Sequence, residues 1–293
     1  MKAKEIVYPA SGDGTEQPAL FWRTRARKPA PLLVALHTWT GDFNTPGSEE
    51  YLERCRKRQW NFIYPSIRGP CNRPEAGGSD LALTDIESAV DCAVLNANVD
   101  PLRIYLIGYS GGSHAALLMA AREPQIWAGV SVWAAISDLA AWHAESLERA
   151  NAYAEQIALC CGGNPGDSDE VDKEYERRSP LTWMENARGL ALDINAGIRD
   201  GHEGSVPIDH SIRAFNCVAA PERRIGEGDI AFVTAQAKLP DHLRQEIEDP
   251  AYGRKKPLFR RVSGPARLTL FDGAHEIVHD AAFAWLAQQT KGR

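Results

Sequence analysis

The chain has 293 residues, 44% of them hydrophobic, and a formal net charge of −6. This length is sufficient for one large α/β domain with insertions, and length alone also allows two domains. The acidic balance argues against a general nucleic-acid or anionic-membrane binder. Because no run of about eighteen apolar residues occurs, the sequence predicts no membrane-spanning helix.

The N-terminus and the cysteines together indicate a cytoplasmic protein. Residues 1–14, MKAKEIVYPASGDG, hold two lysines but no apolar core, so they do not resemble a secretory signal peptide. Secretion would require a leader that has been removed. The six cysteines are scattered without a CxxC pair, which predicts reduced thiols and no metal site. We expect the adjacent Cys160 and Cys161 not to form a disulfide.

The N-terminal third predicts the start of a sheet. Residues 5–9 and 19–24 alternate weakly between apolar and polar side chains, which favours an antiparallel edge. Residues 32–36 are apolar throughout, as in a strand that is covered on both faces. Residues 48–59 predict a helix, because serine and acids open the segment and basic residues close it. Residues 60–65 predict the next strand.

The middle of the chain alternates helix and strand, which predicts a parallel sheet with helices on both faces. Residues 80–96 begin with a capping aspartate, and apolar residues recur in them at helical spacing: Leu83, Ile86, Val90 and Val94. Residues 104–107 predict a buried strand and residues 115–121 a helix of small residues. Residues 128–136 predict a further strand, which ends at Ser137 and Asp138.

Two insertions interrupt this alternation. Residues 139–189 contain charged helical pieces around the segment CCGGNP and no strand, so we interpret them as a cap or lid. Residues 217–263 form a second, irregular insertion with one short helix at 240–248. The catalytic domain would then comprise residues 1–138 and 190–293. Its later elements are expected at the following positions: a strand at 190–196, a helix at 206–216, a strand at 267–271 and a helix at 281–289.

The segment Gly108-Tyr109-Ser110-Gly111-Gly112 carries the most specific chemical signal. A Gly-x-Ser-x-Gly between a strand and a helix is the nucleophile elbow. The turn is so sharp that side chains at Gly108 and Gly112 would collide, and it forces the serine into a strained conformation. Ser110 is therefore the predicted nucleophile, with the Gly111 N–H aimed at the same point.

A serine hydroxyl needs a base, and the base needs a carboxylate that orients it. His275 directly follows the last predicted strand and is our candidate base; His114 would pack beside the site, and His143 would lie in the cap. Surface positions suit the remaining candidates: His202, His210, His242 and His279. Asp200 follows strand 190–196 and is our preferred acid, with Asp138 as the alternative.

An oxyanion in the transition state needs two preorganised N–H donors. Gly111 supplies one of them. The second is expected from the loop after strand 32–36, with Trp39 as the first choice and Thr38 as the alternative. His37, in the same loop, is interpreted as a structural hydrogen-bonding residue.

These segments resemble the α/β-hydrolase superfamily, and especially esterases and peptidases similar to the prolyl-oligopeptidase catalytic domain. The matching segments are LHTWTG at 36–41, GYSGG at 108–112, RSPL at 178–181, IRDGHEGSVP at 198–207 and GAH at 273–275. The resemblance implies an α/β-hydrolase fold, a mostly parallel sheet with an inserted cap. The sequence departs from the pattern at Thr38, which replaces a glycine, and by two extra residues between Asp200 and Val206-Pro207.

The resemblance implies a serine esterase that works through an acyl-enzyme, because no propeller segment precedes the catalytic part. We expect acetyl or feruloyl esters of carbohydrates as substrates, with no metal or organic cofactor and neither nucleic acid nor membrane as a partner. The alternatives are a peptidase of the prolyl-oligopeptidase type and a non-catalytic α/β-hydrolase that binds a ligand. The sequence does not indicate an oligomeric state.

Two further groups of residues are candidates for substrate contact. Cap aromatics would line an acyl or sugar pocket, or else form core: Trp142, Tyr153, Tyr175 and Trp183. The basic residues at 254–256 and 260–261 would meet an acidic group such as a uronate, or else form a solvated face. We expect the aromatic residues to form core and the basic residues to form a solvated face.

Overall fold

A single sheet forms the centre of the computed structural model, which describes residues 2–292. That part of the chain contains nine strands: β1 (Lys4–Pro9), β2 (Glu16–Trp22), β3 (Ala30–Leu36), β4 (Asn61–Pro65), β5 (Val99–Tyr109), β6 (Gly129–Trp133), β7 (Leu192–Gly197), β8 (Pro257–Ser263) and β9 (Ala266–Phe271). Their spatial order is β1-β2-β4-β3-β5-β6-β7-β9-β8. Strands β4, β3, β5, β6, β7 and β9 run parallel, while β1, β2 and β8 are antiparallel additions at the edges.

The burial of the strands follows from their places in the sheet. Every residue of the central strands β3, β4, β6 and β7 is buried, as expected when helices cover both faces of a parallel sheet. The edge strand β1 instead leaves most of its residues exposed. Along β3, Leu32 and Val34 join the core on one face, and Leu33 and Ala35 join the core on the other. The predicted α/β class is thus confirmed.

Helices cover both faces. Across residues 2–292 the α-helices are α1 (Ser48–Arg58), α2 (Asp80–Asn96), α3 (Gly111–Arg122), α4 (Leu139–Glu148), α5 (Tyr153–Cys161), α6 (Asp169–Arg178), α7 (Asp209–Val218), α8 (Glu227–Gln236) and α9 (His279–Leu286). Helices α2, α3, α7 and α8 bury apolar residues in one core, and α1 and α9 bury theirs in the other. None of the described helices has the length and apolarity that crossing a bilayer requires.

Helices α4, α5 and α6 lie between β6 and β7 and surround a third, smaller core. The cap residues in this core include Trp142, Ile157 and Tyr175. Trp39 and Val206 enter the same core from outside the segment that was predicted as a cap. The cap helices therefore share buried surface with the loop after β3 and with the loop that precedes α7.

The structure corrects two details of the predicted elements. Ser79, rather than Asp80, caps α2, because its Oγ accepts the Ala82 N–H at 3.1 Å. The Asp80 carboxylate pairs with Arg122 at 2.7 Å instead. Val94 is 45% exposed whereas Ala93 is buried, so the buried face of α2 ends at Ala93 and not at Val94.

The second insertion is more regular than predicted. Within 217–263 the structure has helix α8 and the edge strand β8, whereas the predicted helix at 240–248 is wrong, because only residues 241–243 are helical there. Gln245 is extended beside β8, where its N–H donates to the Leu258 carbonyl at 3.2 Å. Its side-chain oxygen accepts the Arg260 N–H at 3.0 Å. These bonds keep the segment after 243 from continuing as a helix.

Candidate active site

Ser110 lies at the turn between β5 and α3 in a conformation that residues with side chains rarely adopt. Its φ is 55° and its ψ is −122°. A Cβ atom placed on Gly108 would lie 2.1 Å from the Gly112 carbonyl oxygen, and one placed on Gly112 would lie 2.5 Å from the Leu36 carbonyl oxygen. The turn therefore tolerates only glycine at these two positions, as the motif predicts.

The structure brings Ser110, His275 and Asp200 into one hydrogen-bonded chain. The Ser110 Oγ lies 2.9 Å from His275 Nε2, and His275 Nδ1 lies 3.0 and 2.9 Å from the two Asp200 carboxylate oxygens. The alternative acid, Asp138, does not contact His275; it caps α4 by accepting the Ala141 N–H at 3.0 Å. Of the two aspartates, Asp200 alone is placed to orient the imidazole.

The loop between Asp200 and Val206 folds over the carboxylate. Asp200 Oδ1 accepts N–H groups from Gly201 at 2.9 Å and from Val206 at 3.4 Å. A Cβ atom on Gly204 would lie 2.3 Å from Asp200 Oδ1 and 2.4 Å from His275 Cβ. This loop contains the two extra residues noted in the sequence, and it leaves Asp200 only 2% exposed.

Tyr109 and Glu276 hold the loop that carries His275, and no sequence pattern indicates either role. The Tyr109 hydroxyl donates to the His275 carbonyl at 2.8 Å, and the two rings lie 5.1 Å apart. Burial raises the pKa of Tyr109 well above its usual value, so the hydroxyl stays protonated. The Glu276 carboxylate accepts the Ala274 N–H and pairs with Lys255 at 2.7 Å. Partial burial acts to raise the pKa of Glu276, but these two hydrogen bonds lower it overall.

The two expected oxyanion donors lie side by side. A Cβ atom on Gly111 would lie 2.2 Å from the Trp39 backbone nitrogen, and its three nearest neighbours all belong to Trp39, not to Thr38. Among residues 2–292, neither the Gly111 nor the Trp39 backbone N–H has an acceptor. Both groups are therefore free to bind a negatively charged oxygen near Ser110.

His37 stabilises the loop after β3 that carries Trp39, which we call the oxyanion loop. The Ile67 N–H donates to its Nε2 at 3.2 Å, which leaves Nδ1 protonated to donate to the Thr38 carbonyl at 3.0 Å. Burial lowers the pKa of His37, so the ring stays neutral, as this pair of bonds requires. His37 thus has the structural placement that its sequence position suggested.

No other candidate histidine has a side-chain hydrogen bond to Ser110, and the bond between His114 and Ser110 joins the His114 backbone N–H to the Ser110 carbonyl at 3.2 Å. His114 donates from Nε2 to the Arg178 carbonyl at 2.7 Å. His143 lies 3.2 Å from the Asn164 side chain in the cap. His210 was expected at the surface but is buried, because its Nε2 contacts Glu145 of α4 at 3.1 Å and its Nδ1 accepts the Ser137 N–H at 3.1 Å.

Most of the cap aromatics are packed rather than open to a ligand. Trp142 and Tyr175 are almost fully buried in the cap core. Trp183 donates its indole N–H to the Arg177 carbonyl at 2.9 Å and lies under the Arg122 guanidinium. Tyr153, which is only partly buried, packs against Trp142 with the ring centroids 4.9 Å apart.

Two of the basic side chains that were considered for a uronate are already paired. Lys255 binds Glu276, as described above, and Arg260 pairs with Asp249 at 2.8 Å. Arg260 also donates to the Thr269 hydroxyl at 3.1 Å. These bonds support the solvated, structural interpretation of the basic run.

Comparison with solved structures identifies enzymes of the same fold. A puromycin-hydrolyzing peptidase from Mycobacterium tuberculosis covers 98% of this chain with a TM-score of 0.63 and 16% identity. An acylaminoacyl peptidase from Pyrococcus horikoshii covers 74% with a TM-score of 0.59 and 16% identity. A prolyl endopeptidase covers 80% with a TM-score of 0.59 and 17% identity. The chain spans 35% to 40% of the length of these enzymes.

No protein-family model matches the chain, and no curated protein has a matching sequence. The strand order and the strained serine turn agree with the likeness to the solved structures. The chain therefore has the α/β-hydrolase fold, and its structural neighbours are peptidases of the prolyl-oligopeptidase type, the group that its motifs resemble.

Proposed function

We propose that this protein is a serine hydrolase that cleaves acyl compounds through an acyl-enzyme. The observation that carries the proposal is the hydrogen-bonded chain from Ser110 Oγ through His275 to Asp200, with two free backbone N–H groups beside the serine. A binding protein has no need for such an arrangement, since each part serves a step of acyl transfer.

In the first half-reaction the Ser110 Oγ attacks the substrate carbonyl carbon while His275 Nε2 takes its proton. The carbonyl oxygen becomes negatively charged and accepts hydrogen bonds from the Gly111 and Trp39 N–H groups. Asp200 keeps the imidazole in the required orientation and stabilises its positive charge. When the tetrahedral intermediate collapses, His275 gives the proton to the leaving nitrogen or oxygen, and the acyl group stays on Ser110.

In the second half-reaction water replaces the leaving group. His275 takes a proton from the water as its oxygen attacks the acyl carbon, and the same two N–H groups bind the oxyanion. Collapse of this intermediate breaks the bond to Ser110 Oγ, which regains the proton from His275. The products are a carboxylic acid and the free enzyme.

Within this reaction we infer that a short peptide or another acyl amide is the substrate. The structural neighbours bear the names of peptidases, which favours the peptidase alternative over the carbohydrate ester that we expected first. Two of the cap aromatics that could have lined an acyl or sugar pocket, Trp142 and Tyr175, are enclosed in the cap core. Ser110 is only 7% exposed, which suits a small or extended substrate better than a folded protein.

The test compares wild type with Ser110→Ala on a dipeptide anilide and on nitrophenyl acetate, together with labelling by a fluorophosphonate probe. We expect Ser110→Ala to lose about 10⁴-fold or more of the activity and all of the labelling. The matched control is Ser168→Ala, because Ser168 is the N-cap residue of helix α6 and lies outside the site. Equal activity in wild type and Ser110→Ala would contradict the mechanism, and an unlabelled wild type would favour the non-catalytic alternative. Turnover of the acetate alone would overturn the peptide assignment and leave the serine mechanism intact.

A further inference from the structure

One cap side chain contacts both halves of the candidate site. Trp142 of α4 is fully buried. Its ring lies 5.0 Å from the Trp39 ring at an interplanar angle of 83°. Its indole N–H donates to the Ser205 carbonyl at 3.0 Å. Trp39 belongs to the oxyanion loop, and Ser205 belongs to the loop that covers Asp200.

The contact with Trp39 restricts a backbone donor. The Trp39 ring is held between Trp142 and His114, whose ring lies 5.6 Å away. The backbone N–H of the same residue is the proposed partner of the oxyanion beside Gly111. Because such a donor acts only when it is already aimed at the developing charge, the packing of the ring contributes to its placement.

The hydrogen bond to Ser205 restricts the loop of residues 201–206 that covers Asp200, which we call the acid loop. Ser205 lies between Gly204, whose backbone touches Asp200 and His275, and Val206, whose N–H donates to Asp200 Oδ1. A shift of Ser205 would move both neighbours and loosen the carboxylate against the imidazole. The Trp142 indole is the side-chain donor that holds the Ser205 carbonyl in place.

Helix α4 is held on both sides of Trp142, by one bond within the cap and by one bond to the sheet domain. The Leu139 N–H at its start donates to Ser179 Oγ at 2.8 Å. Farther along, Glu145 contacts the buried His210 of α7 at 3.1 Å. Bonds on two sides of Trp142 therefore fix the helix to elements that belong to the sheet domain and to the end of the cap.

We propose that Trp142 is a positioning residue for the hydrolytic reaction, holding the oxyanion loop and the acid loop in register with each other. The cap segment is then a part of the catalytic framework and not a cover that opens as a separate unit. This inference rests on the proposed function. If it is correct, loss of the indole N–H lowers kcat, which reports the chemical step, more than it changes KM, which reports substrate binding.

The experiment compares Trp142→Phe with Trp183→Phe. Phenylalanine at 142 keeps a ring against Trp39 but removes the donor to Ser205. Trp183 also donates its indole N–H to a backbone carbonyl within the cap, yet it touches neither loop, so it is the matched control. We measure kcat and KM on the best substrate, the rate of inactivation by a fluorophosphonate probe, and the melting temperature.

For Trp142→Phe we expect kcat and the inactivation rate to fall about tenfold while KM stays within about twofold. Trp183→Phe should keep both rates within about twofold at a similar melting temperature. Equal rates in the two variants, or a change confined to KM, would overturn the inference. Trp142→Leu extends the comparison by removing both contacts, but the pair of phenylalanine variants decides the matter even if Trp142→Leu does not fold.

Failure of this inference and failure of the proposed function give different results. If Ser110→Ala is inert and Trp142→Phe is fully active, the hydrolase assignment stands and the positioning role is wrong. If wild type neither reacts with the probe nor turns over substrate, the proposed function fails first.

Discussion

At the scale of single residues, Gly204 shows how tightly the acid and the base are enclosed. A methyl group at this position would overlap Asp200 Oδ1 and His275 Cβ at 2.3 and 2.4 Å. We predict that Gly204→Ala lowers kcat/KM by about a hundredfold, because the loop must move away and misplace both side chains. Steady-state kinetics with the chosen peptide substrate measures this loss.

Gly228→Ala serves as the control for Gly204→Ala. Gly228 lies in the first turn of α8, where an added Cβ atom meets nothing within 4 Å, so activity should be unchanged. Alanine there should raise the free energy of unfolding slightly, because it favours helix. Wild-type activity in Gly204→Ala would contradict the enclosure that the structure describes.

Tyr109 offers a second prediction at this scale. Tyr109→Phe removes the hydrogen bond to the His275 carbonyl but leaves the ring against the imidazole, so we expect kcat to fall about fivefold. Tyr105→Phe is matched to it: Tyr105 lies on the same strand β5, but its hydroxyl donates to the Gln289 carbonyl at 2.9 Å and not to the loop that carries His275. A comparable loss of kcat in both variants would indicate a general effect on the sheet and not a role for Tyr109.

At the scale of elements, helix α2 carries two aspartates whose ion pairs lie in different surroundings. Arg68 binds Asp85 through two hydrogen bonds, at 2.8 and 3.0 Å, with both side chains almost fully buried. Asp80 pairs with Arg122 at the surface, where the Asp80 side chain is 52% exposed. Burial decides how much each pair matters, because an uncompensated buried charge is far more costly than an exposed one.

We therefore predict that Asp85→Asn lowers the free energy of unfolding by about 2 kcal/mol, since the buried Arg68 guanidinium then keeps only Asp13, at 2.8 Å, as a charged partner. Asp80→Asn, on the same helix, should cost about 1 kcal/mol or less. Urea denaturation of the two variants beside wild type measures both values. Similar losses in the two variants would contradict the claim that burial determines how much each charge contributes.

At the scale of the whole molecule, buried histidine makes stability depend on pH. Burial lowers the pKa of His114 to about 4, whereas an exposed histidine in the unfolded chain titrates near 6.5. Between these values the unfolded chain binds a proton that the native ring does not. Stability therefore falls as the pH drops through this window, by about 1.4 kcal/mol per pH unit for the one proton.

His114→Gln should reduce this slope between pH 6.5 and 4, even though the variant is less stable at pH 7. Urea unfolding at several pH values gives the slope directly. An unchanged slope in His114→Gln would mean that His114 is not the group responsible.

The amino-acid sequence by itself determined the features that depend on near neighbours along the chain. The need for glycine at 108 was predictable because a side chain there would collide with Gly112, only four residues along the chain. The buried strand β3 was evident from its continuous apolar run. His275 could be placed because a loop directly after the last strand reaches the edge of the sheet where Ser110 lies.

Only the tertiary structure decided the features that join distant segments. Asp138 and Asp200 both follow strands, and the sequence favoured Asp200 without excluding Asp138. The fold brings only Asp200 against His275. The sequence did not predict strand β8. An edge strand needs only one apolar face, and the adjacent arginines of β8 interrupt the alternation of apolar and polar residues. The contacts of Trp142 with Trp39 and Ser205 join segments that are far apart in the chain, and such packing leaves no local pattern to recognise. The sequence thus supplied the reactive groups, and long-range packing determined which of them meet.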